Sequence, residues 1–159
     1  MSGAVKYNMG RAVEYYRISA DAGDMRSNCR VGTLLTRPGS DPKGYPEAIR
    51  RLRLAAHYGD PDAGYYLGRM FEKGLGMPQF YAEAFKWYSL SAEKGHFEAK
   101  YRRMLLLAAG RGTKKDTQKA SAILSELRSS NSGRLLNHID RSVRGNDSLS
   151  IMFKKEFLS

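Results

Sequence analysis

The run Ala63–His96, AGYYLGRMFEKGLGMPQFYAEAFKWYSLSAEKGH, decides the fold. Ala63, Leu67, Met70 and Phe71 fall at i, i+4, i+7 and i+8, which is one face of a helix. Ala84, Trp87, Tyr88 and Ala92 mark a second helix in the same way. Between them, Gly74-Leu75-Gly76-Met77-Pro78 is a cluster of breakers and predicts a loop. The stretch therefore reads as two antiparallel helices. Gly68 and Ala84 carry little or no side chain and let the two backbones approach, while Tyr65, Phe71, Trp87 and Tyr88 fill the space beside them. Gly95 stands where a left-handed cap is expected, with Lys94 in the last turn, and Asp60-Pro61 suits the start of the first helix.

Outward from this stretch the pattern recurs with a step of 36 residues. Gly23, Gly59 and Gly95 share that step, and so do Ala12, Ala48, Ala84 and Ala120. Ala20, Ala56 and Ala92 keep it too, as do Gly32 with Gly68, Tyr45 with Tyr81, and the apolar series Leu34, Met70, Leu106 and Leu35, Phe71, Leu107. A repeated helical hairpin cannot bury its apolar face alone, so successive copies must stack. The expected fold is all-α: an α-solenoid of antiparallel helix pairs. Its layout is a lead-in at 1–9, a half repeat at 10–23, and repeats at 24–59, 60–95 and 96–128. Residues 129–159 leave the pattern. Ser129–Gly133 reads as a linker, followed by Leu135, Leu136, Ile139 and Val143 at helical spacing and an apolar group of Ile151, Met152, Phe153, Phe157 and Leu158. This tail either caps the array as a helix or docks on a partner or neighbouring chain.

The residues quoted above resemble a Sel1-like repeat, a relative of the tetratricopeptide hairpin. The middle copy matches the family pattern at nearly every signature position, with Phe71 for its tyrosine and Met77 for its valine. The first full copy keeps Gly32, Tyr45, Ala48, Ala55-Ala56 and Gly59 but has Pro38 and Ser40 in place of the paired glycines. The third keeps Ala99, Gly110, Gly112 and Ala120, with Met104 for the packing glycine and no Trp-Tyr pair. The resemblance spans residues 10–128 and implies adaptor work in a bacterial protein: assembling complexes, regulating signalling or mediating host contact. Small relatives also serve as immunity or accessory proteins for secreted antibacterial effectors.

Composition narrows the classes. The chain of 159 residues is 42% hydrophobic, which argues against wholesale disorder. No apolar run approaches the ~20 residues of a membrane helix, and the first twenty residues lack the apolar core of a secretory signal. The cytoplasm is favoured from this chain; a periplasmic or secreted location is open if a signal segment was removed. Cys29 is alone, so neither an internal disulfide framework nor an all-cysteine metal site is available. His57, His96 and His138 are too spread to read as a metal cluster, and His57 and His96 occupy turns between repeats. Gly74-Leu75-Gly76 and Gly110-Arg111-Gly112 lack the Lys-Ser or Lys-Thr of a phosphate loop. No nucleophile has a base beside it in sequence. The reading is a non-enzyme without cofactor or metal.

With 27 basic against 16 acidic residues the net charge is +11, and the excess lies in the repeats rather than the tail. In a solenoid the first helix of each unit lines the concave side. Columns not used for the core point there: Arg30, Tyr66 and Arg102, then Thr33, Arg69 and Leu105, with Arg26, Arg37 and Lys73 at the helix ends. Arginine and tyrosine are frequent interface anchors, and guanidinium pairs planar carboxylates. The expected partner is another protein that lays an acidic or extended segment in this basic groove. A solvated helix face is the plainer reading of the same columns. Arg50, Arg51 and Arg53, near Arg17 one repeat earlier, form a secondary basic patch on the second helices. A nucleic-acid or anionic-surface binder is the rival. It is disfavoured because Tyr15, Tyr16, Tyr65, Trp87 and Tyr88 fall at core columns, leaving Tyr66 for the surface. Oligomeric state has no signature in the chain.

Overall fold

The computed structural model describes the backbone of residues 2–145 and 147–158, and their side chains except at 2–7, 131, 132, 143, 156 and 158. The helices, in order, are α1 (Ser2–Asp21), α2 (Met25–Leu35), α3 (Tyr45–His57), α4 (Pro61–Lys73), α5 (Tyr81–Glu93), α6 (Phe97–Ala109), α7 (Thr117–Arg144) and α8 (Ser148–Phe153). A 3-10 turn, Pro42–Gly44, precedes α3 and a π-helical turn, Lys154–Leu158, follows α8. Among the described residues there is no strand. The chain divides into two compact units between Phe80 and Tyr81.

In the first unit α2 packs on α1 and α3, and α4 returns against α3 and α2. The core is built from the columns read in the sequence: Val31, Ala48, Leu52, Ala55, Ala63, Leu67, Met70 and Phe71 are buried. Full burial of each large member is worth about 1.5–3 kcal/mol. Gly32 sits at the α2–α3 contact, where a Cβ would lie 2.4 Å from Leu52 Cγ. Any side chain there would push the hairpin apart. Gly76 repeats the device in the loop after α4: its Cβ would fall 2.6 Å from Tyr45 Cβ.

In the second unit α6 packs between α5 and α7, and α8 lies across α6 and α7. Tyr101, Met104, Leu105, Leu106 and Ala108 are all fully buried. The C-terminal half of α6, residues 104–109, is apolar all round and demands covering on every side. Leu124, Leu127, Leu135 and Ile139 of α7 supply one cover and Leu149 and Phe153 another. Gly112 meets Tyr81 as Gly76 meets Tyr45, a Cβ there lying 2.2 Å from the Tyr81 carbonyl.

The first helices start alike in both units. Asp24 Oδ1 accepts from Arg26 N at 3.2 Å, Asp60 Oδ1 from Asp62 N at 2.9 Å, and His96 Nδ1 from Ala99 N at 3.2 Å. These caps satisfy amides that lack a helical acceptor, and they fall in step with the 36-residue spacing. His96 is thus a capping residue.

The helix α1 already begins within the lead-in, at Ser2. Two expectations need correction. Ser129–Gly133 is no linker: α7 runs through it as one helix of 28 residues. Serine and asparagine are only mild helix breakers, and the buried leucines on either side hold the helix through them. Tyr15, read as core, is 70% exposed, on the outer side of α1 where the next copy carries Arg51. Val143 and Leu158 of the tail lie outside the described side chains.

Candidate functional site

In the first unit, Arg26, Arg30, Thr33 and Arg37 run at i, i+4, i+7 and i+11 along α2 and just past its end. Residues so spaced share a face. Arg26, Arg30 and Arg37 are exposed, and among the described residues none has an ion-pair partner. Thr33 is half-buried and donates its hydroxyl to the Arg30 carbonyl at 3.0 Å. On α4, which packs alongside α2, Tyr66 and Arg69 are half-buried and Lys73 exposed. The Arg69 guanidinium lies 6.0 Å from the Tyr65 ring centre and 5.9 Å from that of Tyr66. The two rings meet edge to face at 5.3 Å. This aromatic seat restrains a cation that has no carboxylate partner among the described residues.

Arg102 and Leu105 behave differently. Both were expected on an open concave face. Leu105 is fully buried and Arg102 only 7% exposed. The cause is α8. Arg102 donates from Nη1 to Asp147 Oδ2 at 2.7 Å, and the Ser150 hydroxyl donates to that same oxygen at 2.5 Å. Tyr101 in turn donates to Ser150 Oγ at 3.0 Å. Arg102 therefore does not stand on an open face: in this structure its charge is met by Asp147. Asp147 caps α8 by position, but its carboxylate makes no cap bond because Arg102 and Ser150 use it.

The secondary patch also shrinks. Arg51 is bonded to Asp21 at 2.7 Å and Arg17 to Glu47 at 2.5 Å, so α1 and α3 are tied by ion pairs. The Arg17 hydrogen bond holds the Glu47 carboxyl below its usual range. Arg50 and Arg53 stay exposed. Beside them stand exposed Leu54 and Tyr58, apolar surface that the register did not reveal.

Cys29 is buried, and burial with Asp60 and Asp62 close by pushes its thiol pKa up. That environment suppresses the thiolate a nucleophile needs. In the second unit the His138 ring packs edge-on against Tyr101 at 4.9 Å, and its Nε2 is buried with no hydrogen-bond partner. Burial, with Arg102 adding to it, lowers the imidazole pKa to about 4. Among the described residues no three His, Cys, Asp or Glu side chains gather as a metal site. No helix among them is long and apolar enough to cross a membrane.

Sequence reasoning missed Asp147 and Ser150. Asp-Ser before an apolar run is a legible helix start, but nothing local ties it to a helix 45 residues earlier.

Comparison with known proteins gives a consistent result. The Sel1 repeat model matches residues 2–24, 61–96 and 105–120. It passes over α2 and α3, whose loop lacks the paired glycines. Among solved structures, c5321, described as a protective antigen of uropathogenic Escherichia coli strains with an SLR fold, superposes with a TM-score of 0.73 at 19% identity over 91% of this chain. This chain spans 33% of that protein's length. A Sel1 repeat protein from Oxalobacter formigenes superposes with a TM-score of 0.68 at 24% identity, covering 74% of this chain and 90% of its own. None of the curated proteins matches the sequence. At these identities the likeness speaks for the fold: an all-helical stack of hairpins, as the periodicity predicts.

Proposed function

We propose that this chain, which the Sel1 repeat model matches in three stretches, is a non-enzymatic scaffold that holds an acidic, extended segment of a partner protein against the α2–α4 face. Sel1 repeat proteins generally mediate protein–protein interaction, and stacked repeats present extended binding surfaces. The observation that carries the reading is a contrast among arginines. Arg17, Arg51, Arg102 and Arg134 are met by Glu47, Asp21, Asp147 and Glu98. Arg26, Arg30, Arg37 and Arg69 carry no such partner among the described residues, and they share one pair of helices. A partner carboxylate would pair with them bidentately, and Tyr66 offers it an aromatic edge.

The test is selection from a random 12-residue peptide display library, followed by anisotropy titration of the enriched peptides. Acidic sequences should emerge. Their affinity should fall about tenfold on Arg30→Ala or Arg69→Ala, with modest salt dependence. Enrichment of neutral or basic sequences, or indifference to both substitutions, would sink the reading.

A second reading has its own observation. Tyr15 and Tyr58 are exposed on the α1–α3 side with Arg50 and Arg53, aromatics and cations of the kind that stack and pair with single-stranded nucleic acid. A fluorescein-labelled dT20 oligonucleotide tests it. Binding with a steep salt slope, lost on joint neutralisation of Arg50 and Arg53 but not on Arg30→Ala, would favour that reading over the first.

A further inference from the structure

Segment 147–158 behaves, in its contacts, as a ligand rather than as a continuation of the fold. It lies on α6 at Tyr101 and Arg102. By the repeat register these positions correspond to Cys29 and Arg30 on α2. Its attachments are those expected of a bound peptide: one carboxylate on one guanidinium, one hydroxyl bridging that carboxylate to Tyr101, and Leu149 and Phe153 sunk into the face. The opposite side, with Ile151, Lys154 and Lys155, is exposed. A helix of six residues has almost no stability of its own. It also lacks a side-chain cap bond, so α8 persists only through what it touches. Among the described residues, Arg103 Nε of α6 and His138 Nε2 of α7 are among the buried polar atoms without a hydrogen-bond partner.

We propose that the face of α6 and α7 beneath α8 is a peptide-binding site, that segment 147–158 is its resident intramolecular ligand, and that a partner segment of like chemistry displaces it. The partner segment carries an acidic residue at the start of a short helix, a hydroxyl three residues on and an aromatic ring six residues on, as Asp147, Ser150 and Phe153 do. Charge selects it: the carboxylate takes the place of Asp147 on the Arg102 guanidinium. The proposal rests on the reading of the chain as a protein-binding scaffold but uses a different face, so either site can fail without the other.

The test uses the whole chain carrying Phe153→Asp, which loosens the resident segment, and a fluorescein-labelled peptide of residues 145–159. The peptide should bind this variant with micromolar affinity and wild type about tenfold or more weakly, because the tethered copy competes. Arg102→Ala in the same background, or Asp147→Asn in the peptide, should weaken binding about tenfold, and Arg50→Ala should leave it unchanged. No binding to a variant whose circular dichroism remains helical overturns the proposal, as does binding indifferent to Arg102. If Phe153→Asp unfolds the unit, hydrogen exchange on wild type decides. Amides 148–153 should exchange about a hundredfold faster than those of α6, and equal protection overturns the idea.

Discussion

Arg30 on α2 and Arg102 on α6 occupy equivalent positions of the repeat, yet one is open and the other closed. Arg30 stands in solvent with no carboxylate partner among the described residues. Arg102 is covered by α8 and fixed on Asp147. The neighbouring position repeats the contrast: Thr33 is half-buried with its hydroxyl turned back on its own helix, and Leu105 is wholly enclosed. The same backbone position therefore serves as surface in one unit and as core in the other. What differs is only whether a later segment arrives to cover it. A guanidinium that meets its acid inside the chain contributes to stability; one that does not is left to solvent.

This contrast can be broken in a graded way. The largest effect should come from Phe153→Ala, which empties a fully buried ring site in the closed region. Urea denaturation should show a loss of about 3–5 kcal/mol. Next, Arg102→Ala should cost about 2–4 kcal/mol, since Asp147 is left without its cation. Arg30→Ala should stay within about 0.5 kcal/mol. Equal costs for these two arginines would erase the distinction between open and closed positions.

Acid should also separate the units. His138 has its pKa lowered from 6.5 to about 4 in the fold, so the unfolded chain binds more protons between those values. Stability contributed by the neutral ring is present above the unfolded pKa and is lost as pH falls through that window. Glu98 and Arg102 of α6 and Arg134 and Arg141 of α7 bear on the ring, and only Glu98 favours its protonation. The loss should reach about 1–2 kcal/mol near pH 4.5, allowing for partial solvation. It should vanish in His138→Phe. An NMR titration placing the His138 pKa near 6.5 would remove this effect. Among the substitutions in the closed region, the smallest change expected is from Ser150→Ala. It strands the Tyr101 hydroxyl but leaves Arg102 on Asp147, for about 1 kcal/mol by the same denaturation assay.

Much of the fold was legible because its determinants are local and recur. The small residue at 32, the capping residues at 24, 60 and 96, and the loop glycines at 74 and 110 each act within a few residues or one hairpin. The site was less legible. The stripe of Arg26, Arg30 and Arg37 on one face follows from helical spacing alone. The fate of Arg17 and Arg51 does not, because their acids stand 30 residues away. Tyr15 misled for a related reason: helical spacing says which residues share a face, and only a neighbouring helix decides whether that face is buried.

By itself the sequence determined the hairpins, their order and their caps, since periodic burial and backbone conformation are properties of short segments. Only the tertiary structure decided which arginines are free, because pairing depends on where distant segments land. The continuous α7 and the return of α8 onto α6 place Asp147 on Arg102, and no pattern near either residue encodes that meeting.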